Sequence, residues 1–271
     1  MSGKTALIVG ATGQTGQHLL KELLASSHFT KVGEYGRRLT DVSTLSTGKD
    51  KLEQRVIDFE KLEESGLKNG KWDVVFLTLG TTRKAAGGAE GFQRIDRDYV
   101  INAAREARVP DHEQRVLYLS SGSANAKSSF LYPRCKGQTE EALASMGYSD
   151  TIVFHPGLLA GTNRPQSRMP EVIAEYGLFA IRIFLSLRII LYRGVINTLR
   201  LSSFFSGLEI KASIRNTIVA TLGRSMAIAG WLGSERLPSV ARSKEEETPE
   251  GKRFVSIPNA GAIALAQTPF E

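Results

Sequence analysis

The sequence predicts an α/β fold, a doubly wound parallel sheet with a small, mostly helical C-terminal appendage. Two observations lead there. Short apolar runs of strand length alternate with amphipathic segments of helix length, as in sheets whose faces are both covered by crossover helices. The first run, Leu7-Ile8-Val9, breaks into three glycines, Gly10, Gly13 and Gly16, each three apart. At 271 residues the chain is long for one minimal domain and short for two independent ones. Residues 1–170 are therefore expected to form the sheet domain. Residues 171–271 are expected to form the appendage, returning to the core with a last strand and helix.

Each element has its own justification. After the first strand, Gly10 permits a tight turn, Gly13 lets backbone N–H groups approach a pyrophosphate, and Gly16 lets the next helix pack close to the strand. That helix spans residues 17–26, with Leu19, Leu20, Leu23 and Leu24 as its apolar positions. A strand, glycine turn and helix in this order define a Rossmann-type dinucleotide site. Residues 31–35 read as the second strand, closed by Gly36-Arg37-Arg38. There an acidic side chain binds the free 2′-hydroxyl of NAD and a basic one accommodates the 2′-phosphate of NADP. Arg37 and Arg38 argue for NADP, against the plainer reading of a solubilised loop.

Residues 54–58 are expected to form a third strand and residues 60–67 a short acidic helix. The run 72–80 is the fourth strand, and Leu79 and Gly80 at its end should lie beside the cofactor, because ligands sit beyond the carboxyl ends of such strands. A loop over 81–92 leads to a helix over 92–108, then to a fifth strand over 115–119 that ends in Ser120-Ser121-Gly122-Ser123. Tyr132 and Lys136 follow at the head of a helix running to about residue 146. Residues four apart share a helical face, so the Lys136 ammonium can sit near the Tyr132 phenol. A phenol with pKa near ~10 is a poor acid or base at neutral pH, and a nearby cation favours its ionised form. A serine from the preceding strand end would hold the reacting oxygen. Ser121 ends the strand, and Ser123 is the alternative.

Glycine triplet, serine and Tyr-x-x-x-Lys in this order resemble the short-chain dehydrogenase/reductase superfamily in its extended or atypical branch. A narrower likeness rests on Leu79-Gly80-Thr81-Thr82-Arg83, Gly88-Ala89-Glu90-Gly91-Phe92, Asp96-Arg97-Asp98-Tyr99-Val100 and Ser128-Ser129-Phe130-Leu131-Tyr132. These stretches resemble the Tat-interacting oxidoreductase family and its fungal Fmp52 branch over roughly residues 4–170. The resemblance implies NADP(H) held by Thr12, Gly13, Gln14, Thr15, Arg37, Arg38, Leu79, Gly80, Tyr132 and Lys136, with Leu159 and Arg168 contributing. It makes Tyr132 the proton donor or acceptor for a small carbonyl or alcohol. Two departures stand out. The superfamily's asparagine in the helix after the fourth strand is replaced by Arg94-Ile95-Asp96-Arg97-Asp98, and the usual Arg-Pro-Gly reads His155-Pro156-Gly157. His155 reads as a satisfied polar residue at a strand end rather than a pH-sensitive neighbour of the nicotinamide. A cofactor-sensing scaffold with little turnover is the second function the family admits.

The single cysteine, Cys135, excludes an internal disulfide and reads as a buried filler, and the four histidines lack metal-ligand spacing. The net charge of +7 concentrates late: residues 171–230 carry seven basic and three acidic side chains. No aromatics interleave with a basic patch, so nucleic acid is not an expected partner. As a helix, residues 171–205 would carry a basic stripe on a broad apolar surface, which suits a membrane interface; a cleft cover or a homodimer contact is the competing reading. No uncharged apolar stretch there reaches the ~18 residues of a span. The first strand begins almost at Met1, so neither a secretory signal nor an amphipathic presequence is expected. The expected location, with the fungal branch, is the cytosolic face of the mitochondrial outer membrane, with the cytoplasm as alternative. Further on, residues 213–231 should form a helix, residues 238–253 a mobile charged loop, residues 254–257 a strand and residues 260–267 a helix.

Overall fold

Strand β1 (Lys4–Val9) shows how the sequence builds the molecule, because Ala6, Leu7, Ile8 and Val9 are all apolar and all fully buried. Ala6 and Ile8 face one layer of helices, and Leu7 and Val9 face the other. A strand buried on both faces has no polar alternation to show, hence the continuous apolar run. The computed structural model describes residues 3–157, 159–160 and 217–270. Residues 1–162 and 215–271 belong to one compact unit.

In chain order the strands are β1, β2 (Phe29–Gly36), β3 (Leu52–Val56), β4 (Val74–Leu77), β5 (Arg115–Leu119), β6 (Asp150–His155), β7 (Leu159–Ala160), β8 (Thr217–Ile218), β9 (Lys244–Glu247) and β10 (Arg253–Pro258). The main sheet runs β3-β2-β1-β4-β5-β6-β10-β9, parallel throughout except for β9 against β10. β7 and β8 form a separate parallel pair. The order reverses between β1 and β4, and at such a switch point a crevice opens beyond the carboxyl ends of the strands.

Helices α1 (Gly16–Ala25), α5 (Val219–Leu232) and α6 (Asn259–Leu265) cover the face of Ala6 and Ile8. Leu19, Leu20, Leu23 and Leu24 of α1 are at most 2% exposed, and burying each stabilises the fold by on the order of 2 kcal/mol. The short α2 (Ala89–Gln93) leads into α3 (Tyr99–Ala107), which with α4 (Leu131–Ala144) packs on the other face through Val100, Ala103, Ala107 and Leu143.

Several expectations are corrected. β3 starts and ends two residues earlier than expected, although the Ile57 N–H still donates to the Gly36 carbonyl at 3.1 Å. In place of the acidic helix stand two 3₁₀ turns, Leu62–Glu64 and Leu67–Gly70, separated by Gly66 in the left-handed region at φ +67°. The helix expected over 92–108 begins earlier, at Ala89, and widens into a π turn over Arg94–Asp98. The charged segment expected to be mobile contains β9, formed because Thr248 and Lys252 close a hairpin, the Thr248 N–H donating at 2.8 Å. Its Lys-Glu-Glu-Glu sequence has no strand propensity, so pairing with β10 alone decides it. The helix expected from residue 213 is described only from Val219, after strand β8. Residues 171–205 lie outside the described residues.

Candidate dinucleotide and reductase site

The turn after β1 is shaped by what cannot fit in it. Gly10 has φ +104°, and a Cβ there would stand 2.8 Å from the Leu79 nitrogen and 2.9 Å from Thr78 Oγ1. A Cβ on Gly16 would stand 2.1 Å from the Gly10 carbonyl oxygen. The ends of β1 and β4 and the start of α1 therefore touch backbone to backbone, which brings Leu79 and Gly80 beside the turn. The Gly13 N–H closes it, donating to Gly10 O at 3.0 Å. α1 has no acidic side chain in its first turn, so its N-terminal amides offer uncompensated positive potential. Thr15, at the cap position, is 3% exposed, and among the described residues its hydroxyl has no hydrogen-bond partner. A buried hydroxyl without a partner is costly, and a phosphate oxygen in this turn would satisfy it. The residues present thus fit a dinucleotide pyrophosphate. Thr12 is exposed and Gln14 half-buried on the same turn, and Arg37 and Arg38 are exposed just past β2.

Tyr132 and Lys136 lie in the first turns of α4. The Tyr132 ring sits against Phe92, with centroids 6.0 Å apart. Lys136 is 3% exposed, and its ammonium donates to the Tyr118 hydroxyl at 3.0 Å and to the Leu119 carbonyl at 3.3 Å. Asp96 Oδ1 lies 3.5 Å from it. Burial alone lowers a lysine pKa, but Tyr118, Asp96 and Tyr132 outweigh it and hold Lys136 above its ordinary value. Burial pushes the Tyr118 phenol up to about 12, against the pull of the Lys136 charge. Asp96 is itself fully buried, in the π turn, and its Oδ2 accepts from the Thr81 N–H at 2.7 Å. One carboxylate therefore ties Lys136 to the backbone leaving β4. The phenol–lysine pair of the sequence becomes a cluster of two phenols, one ammonium and one carboxylate.

At the ends of β5 and β6 a second polar cluster forms. Ser121 Oγ is 3.0 Å from Ser123 Oγ. The Ser120 hydroxyl donates to Glu140 Oε1, which also lies 3.0 Å from His155 Nε2. Burial lowers the His155 pKa, but the hydrogen bond and charge of Glu140, with the charge of Glu246, raise it overall. His155 is thus a paired strand-end residue. Cys135 is buried, which pushes its thiol pKa up.

A parallel sheet with this strand order, whose switch point carries a glycine turn, defines an NAD(P)-binding oxidoreductase-like protein. A family model described as NAD(P)H-binding matches residues 10–175. The chain belongs to that NAD(P)H-binding family. It is 41% identical to Protein HTATIP2 of Rattus norvegicus over 175 residues, 65% of this chain and 70% of that one. To Protein fmp52, mitochondrial, of Emericella nidulans it is 35% identical over 171 residues, 62% of this chain and 72% of that one. Its fold is similar to a short chain dehydrogenase/reductase from Saccharomyces cerevisiae, with TM-score 0.54 and 16% identity over 84% of this chain and 90% of that one. The KRED1-Pglu enzyme gives TM-score 0.54 and 16% identity over 84% of this chain and 94% of that one.

The structure brings Gly10, Gly13, Thr15, Gly16, Leu79 and Gly80 together at the switch point, and Tyr132 and Lys136 onto the first turns of one helix. Leu159 is described only as backbone in β7, and Arg168 lies outside the described residues. Sequence reasoning missed Asp96, Tyr118 and Glu140 as site residues. Asp96 had a signal: it falls four residues after Phe92 and four before Val100, both buried, so its carboxylate had to be buried and paired.

Proposed function

We propose that the protein is an NADP(H)-dependent reductase that exchanges hydride with a small carbonyl or alcohol, with Tyr132, Lys136 and Ser121 in the reacting positions. The observation that carries the reading is the Thr15 hydroxyl, buried and partnerless among the described residues, inside a turn too tight for any side chain at Gly10 or Gly16. Bound NADPH brings two-electron chemistry, a hydride for the carbonyl carbon. Ser121, paired with Ser123, donates a hydrogen bond to the reacting oxygen. The Tyr132 hydroxyl gives that oxygen a proton in the reducing direction and recovers it in the oxidising one. Lys136 offsets the charge left on Tyr132, and Asp96 and Tyr118 hold the lysine in place.

A second reading, a cofactor-sensing scaffold without appreciable turnover, is favoured by one observation: the ammonium's hydrogen bonds go inward, to Tyr118 and Leu119. Titration with NADPH and NADH, followed as thermal stabilisation, tests cofactor binding. NADPH oxidation with a carbonyl panel then separates the readings. Under the first, Tyr132→Phe abolishes turnover and leaves NADPH stabilisation in place; under the second there is no turnover to lose.

Membrane contact is part of the same proposal. Fungal relatives are named mitochondrial, and no helix among the described residues is long and apolar enough to cross a membrane. Peripheral attachment to the outer membrane's cytosolic face through residues 171–205 agrees with both. Flotation with anionic vesicles tests it, and a stable homodimer that stays off the vesicles would favour the subunit-contact alternative.

A further inference from the structure

A carboxylate on the second strand of such a fold is ordinarily read as the partner of a free ribose 2′-hydroxyl. Glu34, on β2, cannot take that role, because it is 1% exposed and both its oxygens are occupied. Oε1 accepts from the backbone N–H and the hydroxyl of Thr40, each at 2.8 Å. Oε2 accepts from Gln54 Nε2, on β3, at 2.7 Å. The same amide donates to the Thr40 carbonyl at 2.7 Å. Thr40 is thereby gripped through its N–H, its hydroxyl and its C=O. The chain between Glu34 and Thr40 becomes a closed loop tied to two strands, with Arg37 and Arg38 exposed on it.

We infer that Glu34, Thr40 and Gln54 form a clamp that sets cofactor specificity by fixing the loop from which Arg37 and Arg38 reach the 2′-phosphate. The inference rests on the NADPH reading above. Two effects act in the same direction. Immobilising a loop and its long side chains on binding costs conformational freedom, and a loop already fixed loses less of it. Only a ligand with a 2′-phosphate gains from this. At the same time Glu34 is withheld from the ribose, since turning outward would abandon three hydrogen bonds to a charged acceptor. The three residues are positioning residues: they act through the arginines.

The test is the affinity of NADPH and NADH, and of adenosine 2′,5′-bisphosphate and adenosine 5′-monophosphate, for the full chain and its variants. Glu34→Gln sets a second amide NH₂ against that of Gln54, and flipping Gln54 to relieve it forfeits the bond to the Thr40 carbonyl. Thr40→Val removes one hydrogen bond and keeps the shape, whereas Thr40→Ser keeps every donor. Glu34→Gln should weaken NADPH and the bisphosphate about tenfold, on the order of one charge-assisted hydrogen bond, and leave NADH and the monophosphate within about twofold. Thr40→Val should shift the preference in the same direction by less, and Thr40→Ser should match the unsubstituted protein. Equal losses for both cofactors, or an unchanged preference in Glu34→Gln, would overturn the clamp. If Glu34→Gln gives no cooperative melt, the Thr40 pair decides. If the unsubstituted protein shows no NADPH preference, the NADPH reading fails and the clamp with it. A failure of the clamp alone appears only in the variants.

Discussion

Replacing Asp96 with asparagine removes one charge from the buried cluster and turns an amide NH₂, in place of Oδ1, toward the Lys136 ammonium. The asparagine keeps the size of the side chain and an oxygen for the Thr81 N–H, which sits 2.7 Å from Oδ2. What it loses is the anion 3.5 Å from the Lys136 ammonium, between side chains 0% and 4% exposed. At an effective dielectric of about 20, two unit charges at that distance attract by about 5 kcal/mol. Much of this is already offset by the cost of burying both, so the measurable loss comes from the ammonium left behind, about 3–5 kcal/mol for a buried pair broken on one side. Lys136 retains the Tyr118 hydroxyl and the Leu119 carbonyl as acceptors, which places the expected loss near the lower end. About 3 kcal/mol corresponds to a fall in Tm of roughly 6–12 °C for a chain of this size. Urea unfolding and thermal melts would measure it, with Lys136→Met as the second arm of a double-mutant cycle. In the Lys136→Met background the same substitution should cost less than about 1 kcal/mol. A small cost with Lys136 present, or equal costs in both backgrounds, would refute the pairing.

Gly16→Ala puts a Cβ 2.1 Å from the Gly10 carbonyl oxygen; we expect a loss of about 1–3 kcal/mol from overpacking and no stabilisation by NADPH, and an undiminished NADPH shift would count against the turn. Replacing Arg37 and Arg38 with alanine should weaken NADPH far more than NADH, with equal losses speaking against the 2′-phosphate assignment. The raised pKa of His155 also fixes a sign. Its pairing with Glu140 contributes fully below the unfolded histidine value of about 6.5 and is lost as pH rises through the higher folded value. Melting temperature should therefore fall from mildly acidic to mildly alkaline pH, and Glu140→Gln should flatten that slope while lowering the acidic plateau. A slope unchanged in Glu140→Gln would remove His155 from the account.

The parts legible in the sequence are those whose cause is local. Leu7 to Gly16 dictate strand, turn and helix within ten residues, because the turn needs glycine wherever backbones touch. Tyr132 and Lys136 are neighbours on any helix. Asp96 was harder to read because its partner stands forty residues away, and only the buried period of its own helix hinted at pairing. Glu34 could be misread outright, since a carboxylate on β2 looks like a ribose ligand until its three donors, from Thr40 and Gln54, are seen. β9 was illegible because nothing in Lys-Glu-Glu-Glu favours a strand; the hairpin imposes the conformation. The 3₁₀ turns slipped because Gly66, in the left-handed region, breaks a helical pattern that composition alone would continue.

Among the described strands β9 is one margin of the main sheet, with Lys244, Glu245 and Glu247 exposed. An open margin invites another chain to extend the sheet. Two copies meeting there side by side would set one glutamate run against another, and like charges directly opposite each other destabilise such a pairing. The margin therefore repels its own kind at neutral pH. A basic, extended segment is the complement that would extend the sheet there.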